Sequence, residues 1–301
     1  MAAKAVEVEV EGRRLRLSNL DKVLYPAVGF TKGQVIDYYT RAAPHVLPHL
    51  RGRALTLKRY PNGVDRGHFY EKQRPSHAPD WVRSEPIVAG ERTIDFVVCD
   101  DLPTLVWLAN LADLELHPSL ALVADVDRPT VVAFDLDPGE PAGIGHCCTV
   151  ALLLRETLAE LDLQSFAKTS GSKGMQVYVP LNAETAYAEV KPFAHGLARL
   201  LERRNRELIV SVMKKSERHG KVFIDWSQND RHKTTVGVHS LRARERPTVS
   251  TPLLWEEVEE VAGGGEPAAL VFESDRALER LEDAGDHFAP VLQLKQRLPD
   301  L

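Results

Sequence analysis

Thr130-Val131-Val132-Ala133-Phe134-Asp135-Leu136-Asp137-Pro138-Gly139 is an apolar run that ends in two acids one residue apart. Side chains alternate across a strand, so Asp135 and Asp137 project from one face and Leu136 from the other. Pro138-Gly139 stops the strand just beyond them. A second run, Lys221-Val222-Phe223-Ile224-Asp225-Trp226, ends in a third acid. An isolated Asp-x-Asp at a strand end also serves as a turn or helix cap. Three carboxylates converging at strand ends make a hard, oxygen-rich site suited to magnesium or manganese carried with phosphates. That is the layout expected for two-metal nucleotidyl transfer.

Working outward, residues 6–17 alternate as a hairpin with Glu11-Gly12 at its turn. Thr31 is placed to cap a helix carrying Val35, Ile36, Tyr38 and Tyr39. Strands are expected near 54–60, 68–72 and 93–98, and a helix near 101–109. An apolar helix over 147–161 follows the carboxylate strand. Next come strands at 166–170 and 175–181, a long helix over 186–204, and strands at 221–226 and 234–238. Gly263-Gly264-Gly265 reads as a break before acidic helical segments. This mix implies an α/β (α+β) fold with mixed sheets flanked by helices. One compact domain spanning 1–301 is expected, with an accessory layer at 1–110, a catalytic core at 111–254 and an acidic tail at 255–301.

Between two of these strands lies Lys168-Thr169-Ser170-Gly171-Ser172-Lys173-Gly174. Glycines and small hydroxyl residues let backbone amides approach a phosphate, and Lys173 adds a point charge. The order of a P-loop is absent. His117, in Leu114-Glu115-Leu116-His117-Pro118, reads by itself as a buried hydrogen-bonding histidine. Arg242, in His239-Ser240-Leu241-Arg242, reads by itself as a loop arginine that would suit an anion.

Composition is that of an ordinary globular chain: 301 residues, 44% apolar, 27% charged, formal net charge −5. No apolar run approaches a membrane span and no signal-peptide core stands at the N-terminus, so a cytoplasmic protein without membrane partners is expected. Only three cysteines occur, Cys99, Cys147 and Cys148, an odd, sparse set that argues against a disulfide framework. The vicinal pair lacks zinc-knuckle spacing and is expected to be buried at the start of a helix. Basic residues crowd 214–246 and bracket Asp225.

Taken in order, Leu-Glu-Leu-His-Pro, Phe-Asp-Leu-Asp-Pro-Gly, Thr-Ser-Gly-Ser-Lys-Gly, Val-Phe-Ile-Asp-Trp-Ser-Gln-Asn and His-Ser-Leu-Arg resemble the polymerase domain of bacterial ligase D. Asn19-Leu20-Asp21-Lys22-Val23-Leu24-Tyr25-Pro26 and Arg59-Tyr60-Pro61-Asn62-Gly63-Val64 resemble it too, so the likeness covers about 17–254. The family belongs to the archaeo-eukaryotic primases and serves non-homologous end joining. The resemblance implies a primase-like core and a template-dependent polymerase acting at gaps or broken ends, with a preference for manganese and ribonucleotides. It makes Asp135, Asp137 and Asp225 the ligands of two divalent ions. It assigns Ser170, Lys173, His117 and Arg242 to the nucleotide, Lys22 and Lys32 to a 5′-phosphate on DNA, and Phe69 and Tyr70 to template bases. Phe69 also fits core packing. Where the family has His, this chain has Gln176, which can still donate a hydrogen bond to a phosphate oxygen of the nucleotide but cannot become cationic, so weaker triphosphate binding or slower chemistry is expected, not loss of activity.

The implied partners are gapped or broken DNA, NTP or dNTP, Ku and a separate ligase, with the chain read as a stand-alone, nucleoid-associated form. A non-catalytic end-binding module is the alternative, favoured by Gln176. A nuclease is a third reading, which the Ser170/Lys173 loop and Arg242 disfavour.

Overall fold

The computed structural model describes residues 5–299; residues 1–4 and 300–301, at the ends of the expected accessory layer and tail, lie outside the described residues. The chain forms two compact units, each discontinuous in sequence. The first holds residues up to 119 with 236–249 and 273–285; the second holds 120–235, 250–272 and the residues from 286 on.

The second unit is built on a six-stranded sheet. In spatial order its strands are Ile209–Val210, Val222–Asp225, Val131–Pro138, Met175–Pro180, Phe166–Thr169 and Pro252–Leu253. Neighbours are antiparallel except the first pair. The carboxylate strand is therefore interior, and Val131, Val132, Phe134 and Leu136 are buried as its near-continuous apolar run requires. Helix Ile144–Ala159 packs against this strand, and Cys147 and Cys148 are fully buried in it, as expected. Helix Tyr187–Arg204 packs on the turn that follows Asp225.

In the first unit the hairpin pairs Ala5–Val10 with Arg13–Ser18 around Glu11-Gly12, both at positive φ. Helix Lys32–Leu50 opens on a capping box, the Thr31 hydroxyl accepting from the Gln34 N–H while the Gln34 side chain accepts from the Thr31 N–H. A three-stranded sheet orders Phe69–Glu71, Leu55–Arg59 and Asp113–Pro118. The last of these and the strand Ser84–Ala89 go beyond the strands read from sequence.

One expected strand is absent. Residues 234–238 form no sheet strand. Their β-branched side chains suit one, but their polar groups go elsewhere: the Gly237 N–H donates to the Leu116 carbonyl and Thr235 takes a side-chain partner instead of a ladder.

Candidate active site

Register brings the acids together. Asp135 lies directly opposite Asp225 on one neighbouring strand and opposite Gln176 on the other. Gln176 in turn lies opposite Lys168. Cross-strand partners share a face, so Asp225, Asp135, Gln176 and Lys168 form one polar row across four strands, with Asp137 two residues along. Asp137 is half exposed, with Arg218 Nη1 3.9 Å from its Oδ2. Asp225 is held by its own turn: Oδ1 accepts from the Ser227 N–H at 2.9 Å, and Oδ2 from Gln228 Nε2 at 2.9 Å.

The row crowds like charges. Loss of solvent and the charge of Asp137 push the Asp135 carboxyl up to about 7, with Asp225 adding to the effect; the Gln176 hydrogen bond and the Lys168 charge only partly oppose this. Carboxylates crowded in this way could hold a hard divalent ion in place of a proton, and an all-oxygen set is of the kind that suits magnesium or manganese. Lys168 is fully buried, and its Nζ donates to Ser250 Oγ at 2.7 Å. Gln176 is buried as well: its Nε2 donates to Thr235 Oγ1 at 2.8 Å. Its amide is thus fixed beside Asp135.

The Ser170–Gly174 loop sits against the same strand because Gly174 has no side chain. A Cβ there would lie 2.0 Å from the Leu136 carbonyl oxygen, between the two aspartates. Within the loop the Ser170 hydroxyl accepts from the Ser172 and Gly174 amides, so it organises the loop itself. Lys173 Nζ lies 2.7 Å from Glu140, with both side chains well exposed. Solvent weakens such a pair, and a phosphate can replace its carboxylate. Gly139 plays the same part at the other flank, where a Cβ would meet the Arg218 carbonyl at 1.9 Å.

The first unit gathers a second set. His117 and Arg242 meet at the buried carboxylate of Glu115, with His117 Nε2 at 3.0 Å and Arg242 Nε at 3.2 Å. Lys58 Nζ joins at 3.0 Å and the Tyr60 hydroxyl at 3.2 Å. Burial opposes the charge of Glu115, but the His117 hydrogen bond and the Arg242, His117 and Lys58 charges outweigh it and hold the carboxyl well below its usual range. His117 moves down, chiefly through burial, while the hydrogen bond and charge of Glu115 oppose the shift.

Tyr70 stands edge-on to His117 at 6.4 Å between ring centres. Phe69 is 44% exposed under Arg59, which rules out core packing. Lys22 Nζ donates to Asn62 Oδ1 at 3.3 Å. Lys32 is largely buried, its Nζ donating to the Asn110 carbonyl at 2.8 Å. Burial first, and then the Lys22 charge, lower its ammonium to about 8.

Reading the sequence missed Glu115, Lys58, Lys168 and Arg218. Glu115 was within reach, since it shares a strand face with His117 two residues on. Arg218 had no such signal, because only folding of the 211–220 loop brings it to Asp137.

The family described as "LigD, primase-polymerase domain" matches residues 31–288. The multifunctional non-homologous end joining protein LigD of Mycolicibacterium smegmatis is 40% identical over 280 residues, which cover 92% of this chain and 36% of the relative. The bifunctional LigD of Bacillus subtilis is 32% identical over 276 residues, 91% of this chain and 44% of the relative. The chain thus spans little more than a third to under half the length of these relatives. The polymerase domain of Mycobacterium tuberculosis ligase D, solved in complex with DNA, superposes with a TM-score of 0.86 at 36% identity, covering 94% of this chain and 99% of that one.

Proposed function

This chain belongs to the LigD primase-polymerase family, a family of nucleotidyltransferases with an α/β primase-like core, and on that footing we propose that it is a template-dependent polymerase. It adds nucleotides, with ribonucleotides preferred, at gaps or broken ends carrying a 5′-phosphate during end joining. These residues act as one primase-polymerase domain, in the cytoplasm at the nucleoid, with Ku and a DNA ligase activity as partners.

One observation carries this reading: the Asp225–Asp135–Gln176–Lys168 row, with Asp137 beside it, at the seat of the Ser170–Gly174 loop. Asp135, Asp137 and Asp225 would hold two divalent ions, manganese or magnesium, which when bound activate the primer 3′-oxygen and stabilise the leaving pyrophosphate. Lys173 exchanges Glu140 for a phosphate oxygen of the nucleotide, and Ser170 keeps the loop amides in place. Gln176, whose amide lies beside Asp135, donates to a phosphate oxygen of the nucleotide. Glu115 presents His117 and Arg242 to the nucleotide, Arg242 as an anion ligand. Tyr70 and Phe69 offer faces that stack on any base. Lys22 and Lys32 hold the 5′-phosphate.

The test is extension of a primer in a gapped duplex bearing a downstream 5′-phosphate, with manganese and either rNTPs or dNTPs. Templated extension by the wild type that is lost in Asp135→Ala supports the reading, and the sugar preference comes from the same gel. Gap binding that depends on the 5′-phosphate but gives no extension would replace it with the end-binding module.

A further inference from the structure

The ladder between Val131–Pro138 and Val222–Asp225 ends at the Asp135/Asp225 rung, because the chain leaves the sheet at Asp225 and enters the one-turn 3-10 helix Trp226–Gln228. A terminal rung is where a ladder opens, and like charges directly opposite one another push it open. Beyond it, the Ala133 N–H and C=O on the same edge have lost their strand partner. The Asn229 side chain takes that place. Its Oδ1 accepts from the Ala133 N–H at 2.9 Å, and its Nδ2 donates to the Ala133 carbonyl at 2.7 Å. The same Nδ2 donates to the Trp226 carbonyl at 2.9 Å. The carboxamide thus acts as a substitute peptide group, fully buried, on a residue 96 positions from its partner.

Resting on the metal reading of the site, we infer that Asn229 is a positioning residue for the carboxylate triad: it turns the frayed Asp135/Asp225 rung into an enclosed one. The Asp225 turn is then fixed at both ends. Asp225 caps its start through Ser227, and Asn229 closes it and ties it to the residue two before Asp135. The Trp226 ring assists, stacked on His195 at 3.9 Å with its Nε1 donating to the Ser211 carbonyl. Without the amide the two acids separate, and divalent-ion binding has to draw them back before coordination.

The experiment compares Mn2+ binding, by calorimetry and by the spin-resonance signal of the free ion, for the wild type, Asn229→Asp and Leu158→Ala. Asn229→Asp keeps the size and the acceptor for Ala133 but sets a carboxylate oxygen against two carbonyls. Leu158→Ala, in the helix behind the sheet, is a destabilised control. Mn2+ affinity should fall tenfold or more in Asn229→Asp and stay within twofold in Leu158→Ala. In primer extension the Mn2+ activation midpoint should rise by the same factor, with nucleotide KM within twofold. Asn229→Asp binding Mn2+ like the wild type, or Leu158→Ala weakened equally, would overturn the inference. If Asn229→Asp yields no soluble protein, Asn229→Ser, too short to bridge Ala133, is judged by the same outcomes. A wild type that binds no Mn2+ would overturn the metal reading and this inference with it.

Discussion

At the scale of single residues, the carboxyl of Asp135 sets a pH dependence. Its folded value of about 7 lies above the ordinary carboxylate value, so the folded state keeps a proton that the unfolded state has released. Between those two values, without metal, this group loses stability as pH rises. A divalent ion competes with that proton, so apparent Mn2+ affinity should climb by up to about tenfold per pH unit below 7 and level off above it. Titrating Mn2+ from pH 5.5 to 8.5 checks this; a flat profile would mean Asp135 is already ionised. Gln176 stands where the resemblance leads one to expect a histidine. A cationic donor to phosphate is roughly twice as strong as a neutral one, so Gln176→His should raise kcat/KM for the nucleotide by about fivefold. Unchanged kinetics would show that Gln weakens nothing. The three aspartates were legible because strand alternation and the Pro-Gly stop are local signals. The burial of Gln176 and Lys168 was not, because it depends on which strands become neighbours.

At the scale of elements, the loop and the carboxylate strand are fitted by two glycines. Gly174→Ala would drive a methyl into the Leu136 carbonyl, so it should cost about 1–3 kcal/mol or more in stability and weaken nucleotide binding more than metal binding. Urea unfolding alongside nucleotide titration separates the two effects; full nucleotide affinity in a less stable variant would detach the loop from the site. The hairpin, the Thr31-capped helix and the apolar strands could be read directly, since each carries its own period or cap. The stretch at 234–238 misled because β-branched residues signal a strand only where an edge is available to pair with. Asp113–Pro118 escaped notice because its acids and histidine, which would ordinarily mark a solvated loop, are buried around one another.

At the scale of the whole molecule, the net charge of −5 sits oddly with the DNA partner proposed above, and following the basic stretch through the fold does not remove the oddity. Arg231 pairs with Asp127, Lys214 with Glu217 and Arg246 with Glu273, so part of its positive charge is balanced locally. Affinity should therefore depend on the 5′-phosphate more than on the duplex. Lys22→Ala should erode that preference and reduce the salt slope by about one. Because Lys32 loses its proton near pH 8, preference for the phosphorylated end should also decline as pH rises past that point. Gap binding measured with and without the phosphate tests both, and equal affinity for the two ends would remove these lysines from the role. The chain passes between its two units at 119/120, 235/236, 249/250, 272/273 and 285/286. Helix Ser274–Ala284, late in sequence, packs on helix Lys32–Leu50, and Arg41 pairs with Glu282. The units are thus stitched rather than strung. A protease nick at Gly263–Gly265 should leave two fragments that travel together through a sizing column and part only in denaturant, so neither unit can be inherited, deleted or cut out alone.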